Sequence, residues 1–189
     1  MDAFESLIAT LLRRQGYWVQ PSFKVDLTKE EKRTIGRPST PRWELDLVAY
    51  KARPNQILIV ECKSYLDSHG VFFKSFDGSD QKSALRFKLF NDAVLRDVVI
   101  SRLVAQLAEA GSCNPSPTVQ LCLVAGRIAS ERDRMQLRDY FAGKNWLLWD
   151  EEWLRAELLK ASAAGYENDS HIVVAKLLAP RKGALRSAS

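Results

Sequence analysis

Asp46, Glu61 and Lys63 are the residues of this chain whose types and spacing could do chemistry together. They lie in the stretch WELDLVAYKARPNQILIVECKSY, from Trp43 to Tyr65, which reads as two adjacent strands. Strand side chains alternate between the two faces of a sheet. On that pattern Trp43, Leu45, Leu47 and Ala49 share one face, with Glu44 and Asp46 on the other. In the second strand Ile57, Ile59, Glu61 and Lys63 share a face, and Leu58, Val60, Cys62 and Ser64 take the opposite one. A hairpin turning at Ala52-Arg53-Pro54-Asn55 would bring Asp46 close to Glu61, with Lys63 two residues further along. Two carboxylates and an amine gathered where an apolar strand runs out could hold one hard cation and one phosphate.

The acid-x-Lys spacing alone is weak evidence in a chain with 23 acidic residues. Three such triplets occur: Glu30-Glu31-Lys32, Asp80-Gln81-Lys82 and Glu61-Cys62-Lys63. Only the last ends an apolar strand with a strand-borne aspartate a hairpin away. Glu44 is expected to be solvated, with a spare ligand as the alternative. A surface ion-pair cluster is the bland reading of the whole set.

The elements that must position these residues follow from periodicity and punctuation. Residues 3–15 carry Phe4, Leu7, Ile8, Leu11 and Leu12 at helical spacing, with Asp2 as cap and Gly16 as stop. Residues 17–25 read as a strand, placed at an edge or bulge by Pro21. Residues 28–42 read as a charged loop with a local excess of three positive charges, able to hold phosphates near an acidic site. Residues 66–80 form a punctuated loop holding Phe72, Phe73 and Phe76, which could stack bases but more often would be core. Helical pattern runs over residues 81–110, with a break at Asn91-Asp92 and Asp92 capping the second half. A buried strand is expected at 119–125, a helix from Ser130 to about 142, and a short strand at 146–149. Asp150 caps a helix over 151–163, and residues 171–178 favour helix behind Asn168-Asp169. The order α-β-β-β-α-β-α-β-α predicts an α/β fold, a mixed central sheet flanked by helices.

Asp46, fourteen intervening residues and then Glu61-Cys62-Lys63, carried on strands of this order, resembles the PD-(D/E)xK nuclease superfamily. The resemblance implies a restriction-endonuclease-like αβββαβ core over about residues 2–126, with a C-terminal α/β extension. The layout is similar to Holliday-junction resolvases and Mrr-like restriction enzymes. Leu45 stands where that family often has a proline before the aspartate. The resemblance implies a Mg²⁺-dependent endonuclease acting on duplex or branched DNA, with Mn²⁺ as a substitute metal. Asp46, Glu61 and the backbone carbonyl of Cys62 would supply oxygen ligands. Lys63 would orient the attacking water and neutralise the transition state. Members often add a glutamate from the first helix, and Glu5 is the matching position; Asp2 and Glu5 also stand at capping-box spacing. Lys82 and Arg86, one helical turn apart, and Arg42 are candidate nucleic-acid contacts. His69 and His171 lack partners at ligand spacing and are assigned to no metal. The rivals are a catalytically silent nucleic-acid-binding or partner-assembly module and an unrelated phosphate-ester hydrolase.

Composition bounds these readings. A chain of 189 residues suits one domain over 1–179 (core about 2–126, extension about 127–179), followed by a basic flexible tail at 180–189. No apolar run approaches the roughly 20 residues needed to cross a bilayer. The first residues lack a signal pattern, and Cys62, Cys113 and Cys122 form an odd set without metal spacing, so a cytoplasmic protein with free thiols is expected. The net charge of +5 is concentrated at the C-terminus: without Lys176, Arg181, Lys182 and Arg186 the 28 basic residues fall to 24 against 23 acidic ones. A homodimer would suit cleavage of both strands of a duplex.

Overall fold

A computed structural model describes residues 1–39 and 42–180. The basic tail expected at 180–189 lies, beyond Pro180, outside the described residues. Five strands, β1 (Trp18–Val25), β2 (Trp43–Lys51), β3 (Gln56–Lys63), β4 (Thr118–Ala125) and β5 (Leu147–Trp149), form one sheet in the order β1-β2-β3-β4-β5. The first three pair antiparallel as a meander, and β4 and β5 add in parallel through helical crossovers. Asn55 closes the β2–β3 turn by donating its N–H to the Ala52 carbonyl at 3.0 Å. The expected mixed α/β sheet is therefore present, with Pro21 on an edge strand where its missing N–H costs no ladder bond.

Helices cover both faces of the sheet. On one side α5 (Ala93–Glu109) and α6 (Glu131–Gly143) pack Leu95, Val99, Leu103 and Phe141 against Ile57, Ile59, Leu121 and Leu123. On the other, α1 (Ala3–Arg14), α7 (Glu151–Ala163) and α8 (Ser170–Leu178) pack Ile8, Leu12, Leu154 and Ile172 against Leu47, Leu58, Val60 and Val124. Burial on both faces explains why β3 and β4 read as near-continuous apolar runs. Asp169 caps α8 by accepting from the N–H groups of His171 and Ile172, which decides for helix there.

Three local expectations are corrected. The segment read as a loop contains the helix α2 (Lys29–Thr34). Its cap is a reciprocal box: Glu31 N–H donates to Thr28 Oγ1 at 3.2 Å and Thr28 N–H donates to the Glu31 carboxylate at 2.7 Å. The helical pattern over 81–110 is divided into α3 (Gln81–Ala84), a 3₁₀ turn at Leu85–Phe87, α4 (Lys88–Asn91) and α5. Asp92 does cap α5, accepting from Leu95 N–H at 3.0 Å, but Lys82 and Arg86 do not share one continuous α-helix. The third correction concerns β2. Trp43 and Leu45 pack on the α5 side while Leu47 and Ala49 pack on the α1 side, so the four do not share a face. The alternation slips at Asp46, opposite Ser22, whose φ of 49° departs from strand geometry.

Candidate functional site

The site forms where β2 and β3 part. β3 stays paired with β4 through Lys63↔Ala125, whereas its pairing with β2 ends at Leu47↔Val60. Gly126 N–H donates to the Lys63 carbonyl at 2.9 Å, so the backbone groups of Lys63 point toward β4. In a strand the next residue's groups point the other way, so those of Cys62 face β2. No ladder partner meets Cys62 there. Its N–H donates instead to Asp46 Oδ2 at 2.7 Å. The slip in β2 thus turns the Asp46 carboxylate into a substitute for a backbone acceptor, and the Cys62 carbonyl lies on the same side.

Glu61 and Lys63 project from β3 two residues apart, with Oε1 and Nζ at 2.5 Å and each side chain about one-fifth exposed. Burial, then the neighbouring Glu61 charge, raise the Asp46 pKa to about 6, against the lowering effect of the Cys62 N–H and of Lys63. For Lys63 burial acts downward, but the Glu61 charge and hydrogen bond, followed by Asp46, outweigh it and raise the pKa. The amine is therefore charged at neutral pH. Cys62 is buried in the α1-side core, and burial pushes its thiol pKa far up, so its side chain is inert packing.

Glu5 takes part in its helix cap: Glu5 N–H donates to Asp2 Oδ1 at 2.8 Å and Asp2 N–H donates to Glu5 Oε2 at 3.1 Å. The terminal ammonium of Met1 stands 3.7 Å from the same oxygen. Burial, with Asp46 among the contributing charges, raises the Glu5 pKa, so Glu5 lies within electrostatic reach of Asp46. Among the described residues no three His, Cys, Asp or Glu side chains stand together at metal-ligand spacing. The structure thus groups Asp46, Glu61 and Lys63, and leaves Glu5 beside them on its own helix end.

The other candidates are dispersed. Arg42 pairs with Asp26 at 2.7 Å, both exposed. Glu44 is exposed. Phe76 is core, packed on Phe87, Phe90 and Phe141 with centroids 4.7, 6.0 and 5.2 Å away. His171 Nδ1 lies 3.2 Å from Asp169, in the cap of α8. Lys82 and Arg86 are exposed and border a cleft of about 310 Å³ with Tyr65, His69 and Phe72. Family models, curated proteins and solved structures were compared with this chain, and none matches. The site is therefore read from its own residues.

Two contributors escaped the sequence. Gly126 reads only as the stop after a strand, yet a Cβ there would stand 2.2 Å from the Ser64 carbonyl oxygen. Asp133 resembles part of a cap, and in addition it accepts from Phe73 N–H at 2.8 Å, pinning the loop beyond β3 to α6. A glycine directly behind an apolar run was the available signal for the first. Nothing local announced the second.

Proposed function

We propose that this chain is a metal-dependent endonuclease of the PD-(D/E)xK kind, hydrolysing DNA phosphodiester bonds on a restriction-endonuclease-like fold. One observation carries the reading: Asp46, Glu61 and Lys63 meet at the parting of two strands, with one carboxylate held by a backbone N–H and its pKa raised to about 6 by burial and its acidic neighbour. Strongly perturbed carboxylates of this kind concentrate at functional sites. The α1-β1-β2-β3 order with a parallel β4 supports the fold assignment, with α2 as an added element.

The donor set suits a hard divalent cation. Asp46, Glu61 and the Cys62 carbonyl would hold Mg²⁺ or Mn²⁺ through oxygen, relieving the repulsion that raises the Asp46 pKa. Bound there, the metal supplies Lewis-acid polarisation of a phosphate and a more acidic water. Lys63, charged and tied to Glu61, orients a water and offsets negative charge growing on the phosphoryl oxygens. Asp46 is fixed by the Cys62 N–H, so little reorganisation is required of it.

The test is cleavage of supercoiled, linear and branched DNA with Mg²⁺ or Mn²⁺, with a chelator as control. Wild type should cut, the chelator should stop it, and Asp46→Ala and Lys63→Ala should each lower the rate by about 100-fold or more. Calorimetry should show divalent-ion binding lost in Asp46→Ala while DNA binding persists. Equal cleavage by all three proteins, or none by any, overturns the assignment. DNA binding by a wild type that never cuts would make the chain a binding module.

A further inference from the structure

We propose that the cleft between the segment following β3 and the short helix α3 binds one unpaired nucleotide of a nucleic-acid strand, its phosphate on Lys82 and Arg86 and its base against Tyr65 and Phe72. The proposal rests on the nuclease reading for the course of the rest of the strand, toward Asp46 and Glu61. The cleft, about 310 Å³, lies near the lower limit of the roughly 300–1,000 Å³ usual for small-ligand sites. A single nucleotide matches that volume and a base-paired helix does not.

The charge of the lining favours an anion. Among the described residues neither Lys82 nor Arg86 has a carboxylate within ion-pair distance. Asp80 also borders the cleft, and its carboxylate is already engaged, accepting from Ser83 N–H at 3.0 Å and lying 3.3 Å from Lys74 Nζ. Lys74 and Asp80 thus offset one another, with Lys74 held over one face of the Phe72 ring at 5.0 Å, and Lys82 and Arg86 carry the net positive charge of the lining. A base inside a duplex has both faces stacked, so an aromatic wall is available only to an unpaired one.

The walls are braced before any ligand arrives. Asn91 Nδ2 donates to the Ser75 carbonyl at 2.8 Å and to the Ala84 carbonyl at 3.1 Å, tying the two sides together. Gly70, at φ +90°, lets the loop approach the Arg127 and Ile128 backbone, where a Cβ would meet atoms at 2.9 Å. Such bracing lowers the cost of ordering on binding. Tyr65 follows Lys63 by two residues along the chain, so the cleft wall begins just beyond the strand that carries Glu61 and Lys63.

The experiment is fluorescence anisotropy in chelator, where nothing is cut, with a blunt duplex and the same duplex bearing a 5′-phosphorylated single-stranded overhang. Wild type should bind the overhang substrate about tenfold tighter or better. Lys82→Ala/Arg86→Ala should abolish that preference and lessen the log–log salt slope by about 1.4, two contacts at roughly 0.7 each on single strands. Asp46→Ala should keep the preference. Both positions are exposed, so the double variant should fold, checked by circular dichroism. Equal binding of the two duplexes, or an unchanged preference in the double variant, overturns the proposal. So does competition by a free nucleoside monophosphate without any overhang preference. A preference lost in the double variant of a protein that cuts nothing would sustain the cleft and defeat the nuclease reading. Cleavage without a preference would do the reverse.

Discussion

Asp46 and Asp150 are both carboxylates withdrawn from water, and their surroundings drive them apart. Burial pushes the Asp150 pKa upward, but bonds from the backbone of Trp153 and from Arg134 and Arg138 outweigh it and hold the pKa low. Asp46 has one N–H donor and an acidic neighbour, and it goes the other way. A well-satisfied cap and a site awaiting positive charge are thus told apart by their partners. Asp150 lies 2.9 Å from Arg134 and 2.7 Å from Arg138, locking the start of α7 to α6. A depressed folded-state pKa contributes stability above the unfolded value, near 3.8, and loses it as pH falls through the folded one. Asp150→Asn should therefore cost about 1.5–3 kcal/mol at pH 7, measured by urea unfolding, and the gap should close toward pH 2. A gap that persists in acid would show that the charge of Asp150 does not matter.

At the scale of elements, the end of β3 depends on one close approach. Gly126 donates to the Lys63 carbonyl and leaves room for Ser64, where any side chain would meet backbone. Gly126→Ala should destabilise by about 1–3 kcal/mol through overpacking. It should also slow DNA cleavage, although Gly126 contributes no side chain to the site. Thermal unfolding and the cleavage assay check this, with Gly143→Ala, where nothing lies within 4 Å, as the tolerant control. Wild-type behaviour of Gly126→Ala would mean that β3 is not held there. Most helices were legible because their caps are local: Asp2, Asp92, Ser130, Asp150 and Asp169 each accept from N–H groups two or three residues on. The Thr28–Glu31 box carries the same signal, but the charged, Gly- and Pro-containing segment around it favoured a loop.

Across the whole molecule, the sheet separates two apolar clusters, and the candidate site lies within it where its interior strands β2 and β3 part. Leu58 is fully buried on the α1 side in the same strand as Glu61 and Lys63. Leu58→Ala should cost about 2–5 kcal/mol, read from denaturant midpoints at constant slope. A loss below 1 kcal/mol would show that the α1-side layer contributes little. No helix of the described residues is long and apolar enough to cross a membrane.

The sequence by itself determined the α/β order, the strands β2 and β3, most caps, and the grouping of Glu61 with Lys63, because each depends on neighbours within one turn or one pleat. It also indicated that a hairpin would carry Asp46 toward Glu61. Only the tertiary structure decided how Asp46 is presented. Its slip lies opposite Ser22 on another strand, and its carboxylate is fixed by a backbone N–H that β2 no longer pairs. The brace of Gly126 against Ser64 and the cleft walls tied by Asn91 likewise join residues distant along the chain. Contacts of that kind have no local period, so they emerge only once the sheet has brought the strands together.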